Sequence, residues 1–282
     1  MNMSISDRMF GEERRLKIAE IISKDKSISV SELSKLFNVS ESTIRRDLHV
    51  LEEKGFIQRT HGGAILNVGT HYEPAFFEKE DVELEAKRKI GKIAASMIEE
   101  GDSIILDAGT TTLEIARNLK NTKLTVVTNS PLIAIELSKH EDIELIVTGG
   151  IQRWRTKALV GPIAEMVIKQ FKVDKAFIGT NAISFEDGLM TPDLIEANTK
   201  KAMCDVASEV YIVADHTKFG KKSFVKFADI KDITAIITDD EIDYEIVRKY
   251  EQANIDILSF GRDEDDDNDS NGESSDRQDN NC

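Results

Sequence analysis

The sequence has little cysteine and no long apolar segment, and each absence excludes a class of protein. Its 282 residues include only Cys204 and Cys282, too few and too far apart for a disulfide framework or a thiolate zinc site. No run of about 18 apolar residues occurs, and the first residues lack the apolar stretch of a signal peptide. We therefore expect a protein of the reducing cytoplasm that does not span a membrane.

The chain also has fewer basic than acidic side chains, and its formal net charge is −15. Residues 263–282 hold nine acidic side chains and one Arg, a net charge of −8. Residues 1–63 hold 11 Lys and Arg against 10 Asp and Glu, so this segment alone is not acidic. The tail from residue 263 has almost nothing to bury and is predicted to be disordered, whereas the N-terminal segment remains a candidate for nucleic-acid binding.

Residues 1–65 predict helices followed by a short β wing. Apolar spacing favours a helix over Glu12–Ser23, and Ser29 and Glu32 form a possible capping box for a helix from about Val30 to Phe37. Ser40 can cap the next helix. The residues of that helix predicted to be buried are Ile44, Leu48 and Leu51. Residues 56–65 alternate and then turn at paired glycines, as a wing does.

Two short helices joined by a tight turn can place the second helix in a DNA major groove. Arg suits bidentate contact with guanine, and hydroxyl groups can donate to phosphates. The residues predicted to contact DNA, on the exposed arc of the second helix and on the wing, are Ser42, Thr43, Arg45, Arg46, His49, Arg59 and His61. Periodicity leaves an alternative open, an ordinary amphipathic helix with a solvated charged face.

Residues 83–262 alternate between helical and strand patterns, which predicts an α/β domain with a mainly parallel sheet. Residues 66–82 show no clear period and are predicted to be a linker. The predicted strands are Ile104–Leu106, Leu124–Val127, Leu145–Val147, Ala176–Ile178, Val210–Val213, Ala235–Ile237 and Ile255–Leu258. Ligands of open α/β sheets bind between loops at the carboxyl ends of the strands.

The loop from Asp107 to Thr112 follows the first predicted strand and begins a helix, so its amides and hydroxyls suit a phosphate, although a plain capping turn is an alternative. Four further loops carry polar residues or glycines. The candidate effector-binding residues are Asp107, Gly109, Thr110, Thr111, Thr112, Thr128, Asn129, Gly149, Gly150, Asn181, Glu196 and Lys218. A plain turn is the alternative for Gly149-Gly150, and a surface pair with Lys200 is the alternative for Glu196.

Several strings resemble the DeoR family of bacterial transcriptional regulators, over about residues 12–240. They include Val39-Ser-Glu-Ser-Thr-Ile-Arg-Arg-Asp47, Asp107-Ala-Gly-Thr-Thr-Thr112 and Ala214-Asp-His-Thr-Lys-Phe-Gly220. The resemblance implies a winged helix-turn-helix with Ser42, Thr43, Arg45 and Arg46 at the operator. It also implies a sensor domain similar in fold to ribose-5-phosphate isomerase and CoA-transferase-like proteins, which binds a phosphorylated sugar or a related metabolite.

The leading hypothesis is therefore a repressor of sugar catabolism genes that acts on operator DNA, is released by a phosphorylated sugar and forms a homo-oligomer. A sugar-phosphate isomerase, with Asp107 or Glu196 as the base, is the alternative. A purely architectural DNA-binding protein leaves the loop cluster unexplained. No cofactor is expected, and no metal either, because His140 and His216 have no companion His or Cys at ligand spacing.

Overall fold

The computed structural model describes residues 11–25, 27–53, 57–60, 62–66 and 73–259. These residues form two compact units that meet in sequence between Pro74 and Ala75. Three predicted features lie outside the described residues: His61, residues 67–72 of the linker, and the tail 263–282. None of the described helices is long and apolar enough to cross a membrane.

The first unit is a winged helix-turn-helix. Its elements are α1 (Gly11–Asp25), β1 (Ser27–Ser29), α2 (Val30–Phe37), α3 (Glu41–Glu53), β2 (Ile57–Arg59) and β3 (Gly63–Leu66). The capping box of Ser29 and Glu32 is present at the start of α2. Asn38 ends that helix in the left-handed conformation, with φ 51°. The strands pair antiparallel in the order β1-β3-β2, so β1, which the sequence did not predict, completes the wing.

A small apolar core orients α3. The predicted stripe of Ile44, Leu48 and Leu51 is at most 3% exposed. Asp47 is also buried, and its carboxylate accepts a hydrogen bond from Arg14 Nε of α1 at 2.6 Å. Because the core and this ion pair fix one side of α3 against the unit, the opposite arc faces solvent.

The second unit contains a parallel sheet covered by helices. Its helices are α4 (Phe76–Glu80), α5 (Leu84–Ser96), α6 (Thr110–Asn118), α7 (Pro131–Leu137), α8 (Pro162–Ile168), α9 (Leu194–Val206) and α10 (Tyr244–Glu251). Its strands are β4 (Ser103–Leu106), β5 (Leu124–Thr128), β6 (Ile143–Val147), β7 (Ile151–Gln152), β8 (Leu159–Val160), β9 (Val173–Gly179), β10 (Ala182–Ser184), β11 (Gly188–Thr191), β12 (Ala207–Val213), β13 (Val225–Ala228), β14 (Ala235–Ile237) and β15 (Asp256–Leu258).

Seven strands form the central sheet in the order β15-β14-β12-β9-β4-β5-β6, with every neighbouring pair parallel. These are the seven strands that the sequence predicts, so the α/β class is confirmed. The apolar runs of β4, β5 and β14 are almost entirely buried, as strands inside a parallel sheet require, whereas the edge strand β6 is partly exposed. The order reverses at β4, since β5 and β6 lie on one side of it and β9, β12, β14 and β15 lie on the other. The sequence did not predict the β7–β8 hairpin or the small sheet β10-β11-β13.

The predicted linker 66–82 extends too far along the chain. Residues 75–82 belong to the second unit, and residues 76–80 form α4. Phe76 is 2% exposed and packs into the core that includes Leu106 and Phe177. A helix of five residues is too short to show an apolar period in sequence, which is why the segment looked irregular.

Candidate functional site

The exposed arc of α3 carries the residues predicted to contact DNA. Ser42, Arg45, Arg46 and His49 are exposed, and Thr43 is half-buried. The guanidinium of Arg45 lies 2.7 Å from the Glu41 carboxylate, with both side chains about half exposed. Exposed pairs of this kind contribute little stability, so a phosphate can replace Glu41 at small cost. The exposed arc of α3 is therefore accessible to a groove of DNA.

The wing is held against the end of α3. Arg59 donates its backbone amide to Glu52 Oε1 at 2.9 Å, and its guanidinium lies 4.0 Å from the same carboxylate group. Arg59 is exposed, and its contacts with Glu52 place it near the end of α3. His61 lies outside the described residues.

A pocket in the second unit lies at the carboxyl ends of β4, β9 and β12, which are neighbours in the sheet. This is where the strand order reverses, the usual place for a ligand crevice in such sheets. Of the predicted effector residues, seven line it: Gly109, Thr110, Thr111, Thr112, Asn181, Glu196 and Lys218. The loops that follow β4, β9 and β12 meet here because these strands are neighbours in the sheet. The order of the strands cannot be derived from the sequence.

The start of α6 forms one wall of the pocket. Gly109 is its N-cap and offers no capping side chain. Among the described residues, the amides and hydroxyls of Thr110 and Thr111 have no hydrogen-bond partner, whereas Thr112 Oγ1 donates to Gly109 O at 3.1 Å. Unsatisfied amides at a helix N-terminus favour an anion. The first residues of α6 thus have donors available to a ligand, and the phosphate cradle stays a prediction.

Asp107 lies beneath the pocket rather than in its lining. Its carboxylate is 2.5 Å from Lys200 Nζ and accepts from the amide of Gly179 at 3.1 Å. Burial raises the pKa of Asp107, and Lys200 opposes that shift. The residue therefore joins β4, β9 and α9 under the site.

Glu196 and Lys200 are both 3% exposed, so the alternative of a surface pair is wrong. The Glu196 carboxylate accepts hydrogen bonds from Arg153 and from Thr156 Oγ1, the latter at 3.2 Å. It lies 3.6 Å from Lys200 Nζ. Although burial alone would raise the pKa of Glu196, Lys200 and Arg153 hold it below its ordinary value. The β7–β8 hairpin thus reaches the pocket through its connecting residues.

Besides Asp107, four predicted residues do not line the pocket. Thr128 donates to Leu106 O at 2.7 Å, and Asn129 accepts from the amide of Ala108 at 2.8 Å, so both hold the end of β4 and the loop that follows it from behind. Gly149 and Gly150 adopt positive φ, and a Cβ on Gly150 would lie 2.8 Å from Val160 O. They follow β6, an edge strand two positions from β4 and hence about 10 Å away. The plain-turn alternative fits them.

The pocket also has lining residues that the sequence did not indicate. Phe76, Lys79 and Val82 come from the predicted linker, and Lys87 comes from α5. No motif marks these positions, because each reaches the pocket only through packing of α4 and α5 on the unit. Lys218, which was predicted, pairs with Asp215 at 2.9 Å.

Comparison with known proteins gives two family matches. Residues 14–70 match the DeoR-like helix-turn-helix domain, and residues 82–240 match the DeoR C terminal sensor domain. The chain is 43% identical over 251 residues to the HTH-type transcriptional regulator GlpR of Haloferax volcanii, covering 89% of this chain and 98% of that one. It is 35% identical to a putative aga operon transcriptional repressor of Escherichia coli O157:H7, covering 88% and 94%. It is also 35% identical to a lactose phosphotransferase system repressor of Staphylococcus aureus, covering 84% and 96%.

Two solved structures that match show distant similarity. A ribose 5-phosphate isomerase A of Methanocaldococcus jannaschii matches with TM-score 0.37 and 19% identity, over 49% of this chain and 55% of that one. The sorbitol operon regulator SorC of Klebsiella pneumoniae matches with TM-score 0.31 and 13% identity, over 74% and 90%. Neither similarity carries an argument about activity.

Proposed function

The chain belongs to the DeoR family of transcriptional regulators, and on that premise we propose that it represses a sugar catabolism operon and is released by a phosphorylated sugar or a related metabolite. The observation that supports ligand binding is the N-terminus of α6, which has no capping side chain. It presents amides and two threonine hydroxyls without protein partners, among the described residues, to a pocket of the sensor domain.

Operator binding in this proposal uses the exposed arc of α3. Arg45 and Arg46 reach base edges and phosphates, while Arg59 of the wing reaches the adjacent backbone. The exposure of these side chains supports that assignment, and so does the match of residues 14–70 to a DNA-binding domain. Ser42, Thr43 and His49 lie on the same arc.

Release requires that the ligand bind the DNA-incompetent arrangement more tightly than the DNA-competent one, and the coupling is reciprocal. The segment that lines one side of the pocket is close in sequence to the first unit. Its lining residues Phe76, Lys79 and Val82 belong to or closely follow α4, the first helix after Pro74. A ligand that orders this segment therefore acts on the stretch of chain that leads to the DNA-binding unit.

The test is a gel-shift titration of the full chain on a DNA fragment selected by its binding from random sequence. A panel of phosphorylated sugars, each paired with its unphosphorylated parent, is added to the complex. We expect at least one phosphorylated member to dissociate it while its parent does not. The proposal fails if no member of the panel alters binding. An assay of aldose–ketose interconversion with the same panel tests the isomerase alternative, and turnover would favour it.

We also propose that the chain is a homo-oligomer. Large apolar side chains are exposed on α8, where Ile163 is 55% and Met166 is 59% exposed, and Trp154 of the β7–β8 hairpin is 75% exposed. Exposed apolar surface of this kind is typical of protein contacts. Light scattering on the full chain, with Met166→Glu as the disrupting variant, tests this, and a monomeric wild type would contradict it.

A further inference from the structure

Residues 153–158 connect β7 to β8 and form a hydrogen-bonded turn, the hairpin turn. The amide of Arg153 donates to the carbonyl of Ala158 at 2.8 Å, and the amide of Lys157 donates to the carbonyl of Arg153 at 2.9 Å. Lys157 adopts φ 60°, the left-handed conformation that closes the turn. Hydrogen-bonded segments of this kind transmit a displacement from one residue to the next, so the hairpin turn moves as one piece.

One side of the hairpin turn reaches the pocket through Glu196. Arg153 and Thr156 both donate to the Glu196 carboxylate, and Arg153 also lies 3.4 Å from the Asp193 carboxylate. Glu196 and Thr156 line the pocket. A carboxylate accepts about four hydrogen bonds, and the Glu196 carboxylate also lies 3.6 Å from Lys200 Nζ. A ligand hydroxyl that donates to Glu196 therefore competes with the donors of the hairpin turn.

The other side of the hairpin turn holds the start of α4. The carbonyl of Arg155 accepts a hydrogen bond from the amide of Phe76 at 2.7 Å. The ammonium of Lys157 lies 5.7 Å from the centre of the Phe77 ring, within the range of a cation–π contact. Phe76 is the first residue of α4, two residues after the boundary of the units at Pro74. The hairpin turn thus contacts both the pocket and the first residues of the second unit.

We propose that the hairpin turn transmits the state of the pocket to α4, and so to the stretch of chain that leads to the DNA-binding unit. That a ligand of this pocket releases DNA rests on the proposed function. A ligand that bonds to Glu196 displaces Arg153 and Thr156, the hairpin turn moves, and its contacts with Phe76 and Phe77 change. The ligand shifts the equilibrium only as far as it binds the two arrangements with different affinity.

Trp154 reports on the hairpin turn directly. It is the only tryptophan of the chain, it is 75% exposed, and the Lys157 ammonium lies 4.9 Å from the centre of its ring. A shift of Lys157 relative to Phe77 therefore changes the surroundings of the Trp154 ring and its accessibility to a quencher. Because coupling between two sites is reciprocal, DNA binding changes the hairpin turn even when no ligand is present.

The experiment titrates the full chain with a DNA fragment selected by its binding and measures acrylamide quenching of Trp154 fluorescence, with a random duplex as the correction for absorption by DNA. We expect quenching to change as the selected fragment saturates the protein, and to change less in Phe77→Ala. Phe77→Tyr keeps a ring beside Lys157 and behaves like wild type. Tyr244→Ala on α10, where the ring is 62% exposed as it is in Phe77, is the matched control. The inference is overturned if the fragment leaves quenching unchanged or if Phe77→Ala responds like wild type.

A second measurement separates coupling from ligand binding, with the phosphorylated sugar that releases the wild-type chain from DNA as the probe. Phe77 does not line the pocket, so we expect Phe77→Ala to bind this sugar like wild type in calorimetry. The factor by which saturating sugar weakens DNA binding should be about 2- to 5-fold smaller in the variant, the effect of one exposed cation–π contact. If the factor is unchanged, the proposed function stands and the role of the hairpin turn is overturned. If no phosphorylated sugar releases the wild type, the proposed function fails, and the response of Trp154 to DNA still decides the inference.

Discussion

Lys200 Nζ lies 2.5 Å from the carboxylate of Asp107, and both side chains are at most 3% exposed. The pair joins α9 to the loop after β4, and Lys200 also donates to the carbonyl of Gly179, the last residue of β9, at 3.0 Å. The two charges are therefore structural partners that fix the base of the pocket, whichever ligand occupies it.

Removing one member of this pair should strongly destabilise the sensor domain. We expect Lys200→Met to lower its free energy of unfolding by about 3–5 kcal/mol, because the buried Asp107 charge is left without its partner. Urea unfolding followed by tryptophan fluorescence measures the change. Lys201→Met, at the adjacent exposed position, should stay within about 0.5 kcal/mol of wild type. The double variant Asp107→Leu with Lys200→Met should be more stable than Lys200→Met alone, and a more severe loss would contradict this account.

Lys87 should make stability depend on pH. Its pKa is lowered from 10.5 to about 8 in the folded protein, so between these values only the unfolded chain holds the proton. The free energy of unfolding therefore rises with pH across this window, by up to about 2 kcal/mol once solvent screening is allowed for. Urea unfolding at pH 7, 9 and 10.5, taken as the difference between wild type and Lys87→Met, isolates the effect. A difference that is the same at all three pH values would show that Lys87 titrates normally.

The DNA contacts are tested by replacing Arg45 and Arg46 with Ala together. We expect specific binding to be lost while folding and ligand binding persist, because both side chains are exposed and the α3 core is untouched. Gel shifts over a range of salt concentrations measure the effect, and the salt slope should fall by about 0.9 for each phosphate contact removed. Lys17→Ala, exposed on α1, is the control. Wild-type affinity in the double variant would rule out the α3 arc.

The hydroxyl of Thr111 is tested by Thr111→Val, which keeps the shape of the side chain. Since this hydroxyl has no partner among the described residues and lines the pocket, its loss should weaken effector binding by about 1–3 kcal/mol and leave operator affinity unchanged. In gel shifts the variant complex should then persist at sugar-phosphate concentrations that dissociate the wild type. Thr125→Val, on β5 and away from the pocket, is the control. Release at the wild-type concentration would remove Thr111 from the site.

Deleting residues 263–282 tests the role of the acidic tail. The deletion removes a net charge of −8, so non-specific DNA affinity should rise at low salt, while folding and effector release stay the same. Fluorescence anisotropy with a random DNA duplex measures the affinity, and a variant with the acidic residues of the tail changed to Asn and Gln separates charge from length. Loss of folding on truncation would show that the tail is structural.

Local sequence signals predicted much of this fold. The Ser29–Glu32 capping box and the α3 stripe depend on neighbours three or four residues apart, and each strand of the central sheet is a short apolar run. What the sequence does not contain is the order of those strands. That order decides that the loops after β4, β9 and β12 meet, and that the loop carrying Gly149 and Gly150 lies elsewhere.

Burial of charge was the other property that sequence patterns missed. Lys87 and Lys200 occupy helices on which a Lys is ordinarily solvated, and nothing in their spacing separates them from Lys92 or Lys201. Their burial follows from the close approach of α5 to α6 and from the position of α9 across the ends of β4 and β9. These are contacts between residues far apart in sequence.

The β7–β8 hairpin sets where the specificity of such a regulator can change during evolution. The end of the pocket at α6 is built from loops of the central sheet, so substitutions there also cost folding free energy. Arg153 and Thr156 reach Glu196 from a two-stranded hairpin outside that sheet. Under the proposed function, exchanges between residues 153 and 158 are therefore expected to alter what the pocket accepts beyond the proposed phosphate group, while the seven strands stay intact. If the proposed function holds, a regulator of this kind can change its sugar through this hairpin and keep the proposed phosphate site.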